Sequence, residues 1–109
     1  MSTFKSLSSF KKKEIQDLFK TARIILVDKG LVIKTAPKIG SSARILIVTP
    51  RKSGNAPQRN RIRRRLKALF YTHKLYQGQR DYLILVSAQA MALSFNQLEK
   101  IIITTHENN

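Results

Sequence analysis

The sequence predicts an α+β fold: a single domain in the order helix, three strands, helix, strand, helix, with a central sheet packed by helices. Three observations lead there. Of 109 residues, 42% are apolar, enough for one core in a chain of this length. Four short runs, at 24–27, 31–35, 43–49 and 82–86, are dominated by Val, Ile and Leu. Three longer segments repeat their apolar residues at the spacing of a helix face.

Residues 1–10 are rich in Ser, Thr and Phe and read as a loose N-terminal arm. From Lys11 the pattern turns helical, with Ile15, Leu18, Phe19 and Ala22 on one face. The strands 24–27 and 31–35 flank Asp28-Lys29-Gly30, a turn. Residues 37–42 hold Pro, Gly and two Ser, a loop. The run 43–49 is apolar enough to be buried on both faces, and Pro50 ends it. Asn55 is placed to cap the next helix and Pro57 fits its first turn. Ile62, Leu66, Leu69, Phe70 and His73 give that helix an apolar stripe, running to about Tyr76 with Gly78 as its stop. Strand 82–86 follows. Ser94-Phe95-Asn96-Gln97 has the form of a capping box opening the last helix, whose end is expected to loosen over 105–109. The whole of 1–109 is one domain, with no internal repeat.

Composition narrows the function. Lys and Arg number 21 against six acids, a formal net charge of +15. Between residues 29 and 80 there are 14 cations and no acid. A surface built only for solubility mixes both signs, so a block of one sign calls for a polyanionic partner, of which nucleic acid is the commonest. No cysteine is present, which excludes disulfide staples, Cys-based zinc sites and a Cys nucleophile. No apolar run approaches the roughly 20 residues of a membrane span, and no secretory h-region opens the chain. A cytoplasmic protein is expected.

The cations are concentrated where they can act together. On the helical wheel Asn60, Arg63, Arg64, Lys67, Tyr71 and Lys74 oppose the apolar stripe, and Arg61 and Arg65 flank it. Arg51 and Lys52 precede it in a loop whose Ser53 and Gly54 are small enough to admit a phosphate backbone. Five of the six cations from 59 to 67 are Arg, whose planar fork binds phosphate bidentately and stacks on bases. A peripheral membrane helix would need the apolar stripe free for lipid, yet the sheet requires it.

Protein-based catalysis has no visible apparatus. The six acids are scattered, and Glu14 and Asp17 read as solvated acids of a helix N-terminus. His73 reads as a boundary residue and His106 lies near an exposed end, so no acid–base pair is expected. No P-loop, HExxH or Ser-His-Asp order occurs.

Arg51-Lys52-Ser53-Gly54-Asn55-Ala56 followed by Arg59-Asn60-Arg61-Ile62-Arg63-Arg64 closely resembles the RNR signature of the bacterial ribonuclease P protein family. The element order is similar too, and in that family the signature lies in a left-handed βαβ crossover. The resemblance covers roughly residues 10–105. It implies an endoribonuclease acting as a ribonucleoprotein, which removes the 5′ leader from precursor tRNA. The RNA subunit would carry out the chemistry with Mg²⁺, leaving the protein without catalytic residues and without an organic cofactor. Arg51, Lys52, Arg59, Asn60, Arg61, Arg63, Arg64 and Lys67 would contact the catalytic RNA. Ile15, Phe19 and Lys34 would contact the leader in a cleft between the sheet and the first helix. Precursor tRNA and the RNA subunit are the implied partners, with neither DNA nor membrane expected. The resemblance is silent on metal sites in the protein. Ile15 and Lys34 stand where the family often has aromatics, and Lys67 where it has Arg. Ser87-Ala88-Gln89 lacks the basic residues that often follow the fourth strand. The alternative reading is another small basic RNA-binding protein of ribosomal type.

Overall fold

Helix α1 spans Lys12–Thr21. Its first turn is closed by Glu14, whose carboxylate accepts the Lys11 backbone N–H at 2.9 Å. The computed structural model describes residues 10–107, so most of the expected N-terminal arm lies outside the described residues. Strands β1 (Arg23–Asp28) and β2 (Leu31–Pro37) form an antiparallel hairpin. Its turn places Lys29 at φ 47° and Gly30 at φ 90°, the two positive φ angles that let a two-residue turn follow strand twist.

Gly30 is required there for a second reason. A Cβ at this position would lie 2.6 Å from the Ala90 backbone nitrogen and 2.7 Å from Ser87 Oγ. Ser87 in turn donates its N–H and its hydroxyl to the Gly30 carbonyl, at 2.9 and 3.0 Å. Gly30→Ala is therefore expected to cost about 2 kcal/mol or more, seen as a fall of roughly 8 °C or more in melting temperature. An unchanged melting temperature would contradict this account of the turn.

Strands β3 (Ile45–Val48) and β4 (Arg80–Val86) complete one sheet in the order β1-β2-β4-β3. β4 runs antiparallel to β2 and parallel to β3. The parallel pair demands a crossover, and helix α2 (Ala56–Thr72) supplies it. Asn55 and Gln58 cap α2 reciprocally: the Asn55 side chain accepts from the Gln58 N–H at 2.9 Å and the Gln58 side chain from the Asn55 N–H at 3.0 Å. Ser94 and Gln97 open helix α3 (Phe95–Glu107) in the same manner.

One sheet face carries Leu31, Ile33, Ile45, Ile47, Tyr82, Ile84 and Val86 into the main core. Ile62, Leu66, Leu69 and Phe70 of α2 and Leu98, Ile101 and Ile102 of α3 close over it. A register shift between Ile24 and Leu26 in β1 allows Ile25 and Leu26 both to pack on this core. The Cα radius of gyration is 12.9 Å, as one domain of this length requires.

Four expectations change. β3 is shorter than 43–49 and buried on one face only, since Leu46 and Val48 are half-buried. Among the described residues the other face of the sheet has a single helix on it, α1, which explains the difference. α2 ends at Thr72, not near Tyr76, because Lys74 adopts a left-handed conformation and a 3-10 turn, Leu75–Gln77, folds back. That reversal brings Tyr76 within 5.6 Å of Tyr71, ring to ring. Tyr71 is consequently buried and not on the outward cationic face. The expected loosening over 105–109 is not seen as far as Glu107: α3 continues, and Thr105 is buried with its hydroxyl donating to the Ile101 carbonyl at 2.8 Å.

Candidate nucleic-acid interface

The outer side of α2 and the turn before it form one cationic surface. Arg51 and Lys52 lie exposed in a 3-10 turn, Arg51–Ser53, which buries Ser53 against the Pro50 carbonyl. Asn60, Arg61, Arg64 and Lys67 are exposed, while Arg59, Arg63 and Arg65 are half-buried on the flanks. Arg63 is braced: it donates to the Thr49 hydroxyl and to the Asn60 side-chain oxygen. Among the described residues no arginine of α2 pairs with a carboxylate. The positive field of this face is therefore uncompensated from within, and the N-terminal N–H groups of α2 point the same way in sign. Gly54 sits at the entrance to α2, where a Cβ would come 2.8 Å from the capping oxygen of Gln58.

The second surface is the sheet face turned away from α2. Ile24, Lys34, Leu83 and Leu46 lie in one cross-strand row, and Val27, Val32, Leu85 and Val48 in the next. α1 covers only one end of this face, through Leu18 packed on Ala36 and Leu83 with Phe10 and Ala22 beside them. The rest stays open: Ile24 is 58% and Val27 64% exposed. Ile15 is half-buried and Phe19 is 45% exposed on α1. Half-buried Lys34 lies in the row of the open face. The result is a shallow apolar groove with a cation in its floor.

A buried ionic cluster ties α1 to the sheet. The Arg44 guanidinium holds the Glu14 carboxylate with both arms, at 3.0 and 3.3 Å, and lies 3.9 Å from an Asp81 oxygen. The Arg44 backbone N–H donates to Asp81 at 2.8 Å. The guanidinium also stacks 4.2 Å over the Phe10 ring. The hydrogen bond from Arg44, with that from the Lys11 N–H, holds the Glu14 carboxyl below its usual range. Burial pushes the Asp81 carboxyl up, against the pull of Arg44. The two acids act oppositely on pH dependence. Glu14 stabilises the fold above its ordinary pKa, an effect lost as pH falls through its lowered value. Asp81 favours the fold most at low pH and loses that advantage as pH rises through its raised value.

Glu14 is thus not merely a solvated acid, as its sequence position suggests. His73 caps α2 and meets Glu99 of α3 at 2.9 Å, a boundary role. Among the described residues no three His, Cys, Asp or Glu side chains converge as metal ligands would. No described helix is long and apolar enough to cross a membrane.

The ribonuclease P family model matches residues 4–107. The chain belongs to the ribonuclease P protein family. A ribonuclease P protein component from Brucella suis is 40% identical over 65 residues, covering 58% of this chain and 46% of that protein. The chain thus spans about half the length of that relative. The Halalkalibacterium halodurans ribonuclease P protein component is 30% identical over 76 residues, covering 68% of this chain and 64% of the relative. The fold is that of the ribonuclease P protein from Staphylococcus aureus, with a TM-score of 0.78 at 20% identity and 93% of each chain covered. The Thermotoga maritima ribonuclease P protein gives 0.75 at 18% identity, covering 89% of this chain and 92% of the other.

The residues expected to contact RNA, Arg51, Lys52, Arg59, Asn60, Arg61, Arg63, Arg64 and Lys67, all fall on the turn and helix described above. Arg61 faces the α3 flank, lining a shallow recess with Met91 and Leu98, whereas Arg63 leans toward the end of β3. Lys34 falls in a row of the second surface, while Ile15 and Phe19 lie on α1, the helix that covers one end of it. Sequence reasoning missed Arg44 and Asp81. The available signal was an Arg opening one apolar strand and an Asp opening another, the Asp closing an acid-free stretch.

Proposed function

We propose that the chain is the RNA-binding protein subunit of ribonuclease P, which with a catalytic RNA subunit and Mg²⁺ removes the 5′ leader of precursor tRNA by hydrolysis. The observation that carries this reading is the uncompensated cationic face of α2 and its preceding turn, in a chain of this family. Arginines placed there neutralise phosphates and release their counterions, so affinity depends steeply on salt. An A-form RNA helix is read through shape and backbone, which suits forks on a rigid helix.

The leader occupies the groove between α1 and the open sheet face. Phe19 and Ile15 offer apolar surface to unpaired bases, and Lys34 meets a phosphate. Bases stack on any aromatic face, so this grip tolerates sequence variation. Mg²⁺, in this reading, supplies nucleophile activation and charge neutralisation from the RNA side. The protein's own part is to bind and align two polyanions.

Reconstitution tests the reading. Adding the chain to a bacterial ribonuclease P RNA at low Mg²⁺ is expected to raise 5′ cleavage of precursor tRNA above that of RNA alone. No gain would sink it. For the groove, Phe19→Ala is expected to weaken leader binding by about 1 kcal/mol. Lys34→Ala is expected to reduce the salt slope by about 0.7 for one single-strand phosphate. An effect from Phe19→Ala alone would remove Lys34 from the leader site.

A further inference from the structure

α1 has a slender hold on the rest of the molecule. Its one buried residue is Leu18, and among the described residues no side chain of another helix joins the apolar cluster around it. Yet it carries Ile15 and Phe19, one turn apart, the first half-buried and the second 45% exposed. The position of α1 therefore rests heavily on whatever else fastens it.

That fastening is Arg44. Its side chain stands just before β3 and reaches three other parts of the chain at once: Phe10 ahead of α1, Glu14 on α1, and Asp81 on β4. Only 12% of the side chain is exposed, so solvent and salt screen these interactions less than they would a surface pair. The two-armed grip on Glu14 fixes orientation as well as distance, which a lysine ammonium could not do. Asp81, itself 2% exposed, anchors Arg44 from below through both its backbone N–H and its guanidinium. The linkage runs from the floor of the sheet, through one guanidinium, to the first turn of α1. Glu14 and Ile15 are adjacent, so the clasp acts next to the groove wall.

We propose that Arg44, Glu14 and Asp81 are positioning residues for leader recognition: they hold α1 at the spacing that lets Ile15 and Phe19 grip an unpaired strand. This rests on the leader reading given above. The contacts that define the cluster join α1 to β4 and to the chain just before β3. The cluster acts on the leader without acting on the RNA subunit.

Glu14→Gln is the cleanest probe. Glutamine keeps an oxygen for the Lys11 N–H, so α1 retains its cap, but the charge that binds Arg44 is gone. The measurement is the affinity of the reconstituted holoenzyme, under non-cleaving conditions, for a leader-bearing precursor and for mature tRNA. Glu14→Gln is expected to weaken precursor binding about three- to tenfold, leaving mature tRNA and RNA-subunit affinities as in wild type. Arg44→Lys should fall between wild type and Glu14→Gln. Phe19→Ala should cost less in the Glu14→Gln background than alone, because a displaced α1 has already loosened its grip on the leader. Equal losses for precursor and mature tRNA, or strict additivity with Phe19→Ala, would overturn the proposal. A wild-type leader preference that survives intact in Glu14→Gln would overturn it while sparing the leader reading. No leader preference in wild type would remove both.

Discussion

Replacing Arg59 and Arg63 together with alanine is expected to weaken binding to the catalytic RNA about a hundredfold, from two charge-assisted hydrogen bonds at about 1.5 kcal/mol each. The same double change should flatten the dependence of log affinity on log salt by about one unit for each phosphate left without its arginine. The pair is chosen for its preparation. Arg63 is held by Thr49 and Asn60 before RNA arrives, and Arg59 is half-buried on the same flank. A side chain already confined loses less freedom on binding, so more of its interaction energy appears as affinity. Arg64→Ala with Lys67→Ala removes the same formal charge from exposed positions. It should flatten the slope similarly but cost less affinity at a given salt. Filter binding across a salt series separates the two. An unchanged slope in Arg59→Ala/Arg63→Ala would show that this helix does not neutralise phosphates.

Phe70→Ala is expected to be the most damaging single change to the fold. Phe70 is fully buried. Its ring meets Tyr71 edge-on at 5.5 Å and Tyr82 at 5.8 Å, so it joins α2 to β4. Truncation leaves a cavity between helix and sheet and costs about 3–5 kcal/mol, a large part of what a domain this size possesses. The melting temperature should fall by roughly 12 °C or more. Phe70→Leu, which retains most of the volume, should lose much less. Saturating catalytic RNA, at about a hundred times its dissociation constant, should return at most about 2.7 kcal/mol to the variant, less whatever affinity the unfolded polycation has for RNA. A melting temperature within a degree or two of wild type would show that α2 does not dock through Phe70.

How legible all this is in the sequence depends on distance along the chain. The stripe of α2 repeats every turn, so Ile62, Leu66, Leu69 and Phe70 identify its buried side without tertiary information. Both capping boxes, Asn55 with Gln58 and Ser94 with Gln97, lie within three residues and read directly. The exposure of Asn60, Arg64 and Lys67 follows from the same periodicity, whereas Arg63, expected opposite the stripe, is half-buried on its flank and Arg61, expected on the flank, is exposed. The sequence misleads where a distant or unusual partner decides. Tyr71 sits on the polar side of the wheel and is buried because Tyr76 returns over it. That return depends on Lys74 adopting a left-handed conformation, for which lysine gives no signal. The Arg44 cluster joins residues 30 and 37 positions apart, beyond the reach of any local pattern. The outer face of β3 reads as fully covered and is only half-buried, because apolar content alone does not count how many helices are available to cover it.

The two faces of the sheet also differ in what change they tolerate. Nearly all the cohesion of the molecule lies on the α2 and α3 side, where Leu31, Ile33, Ile84 and Leu66 are sealed from water. Ile24 and Val27 contribute little to that seal, and replacements at such exposed positions usually shift stability by only about 0.5 kcal/mol either way. Substitutions on the face of Ile24 and Val27 are therefore expected to reshape the groove at little cost to the scaffold beneath it.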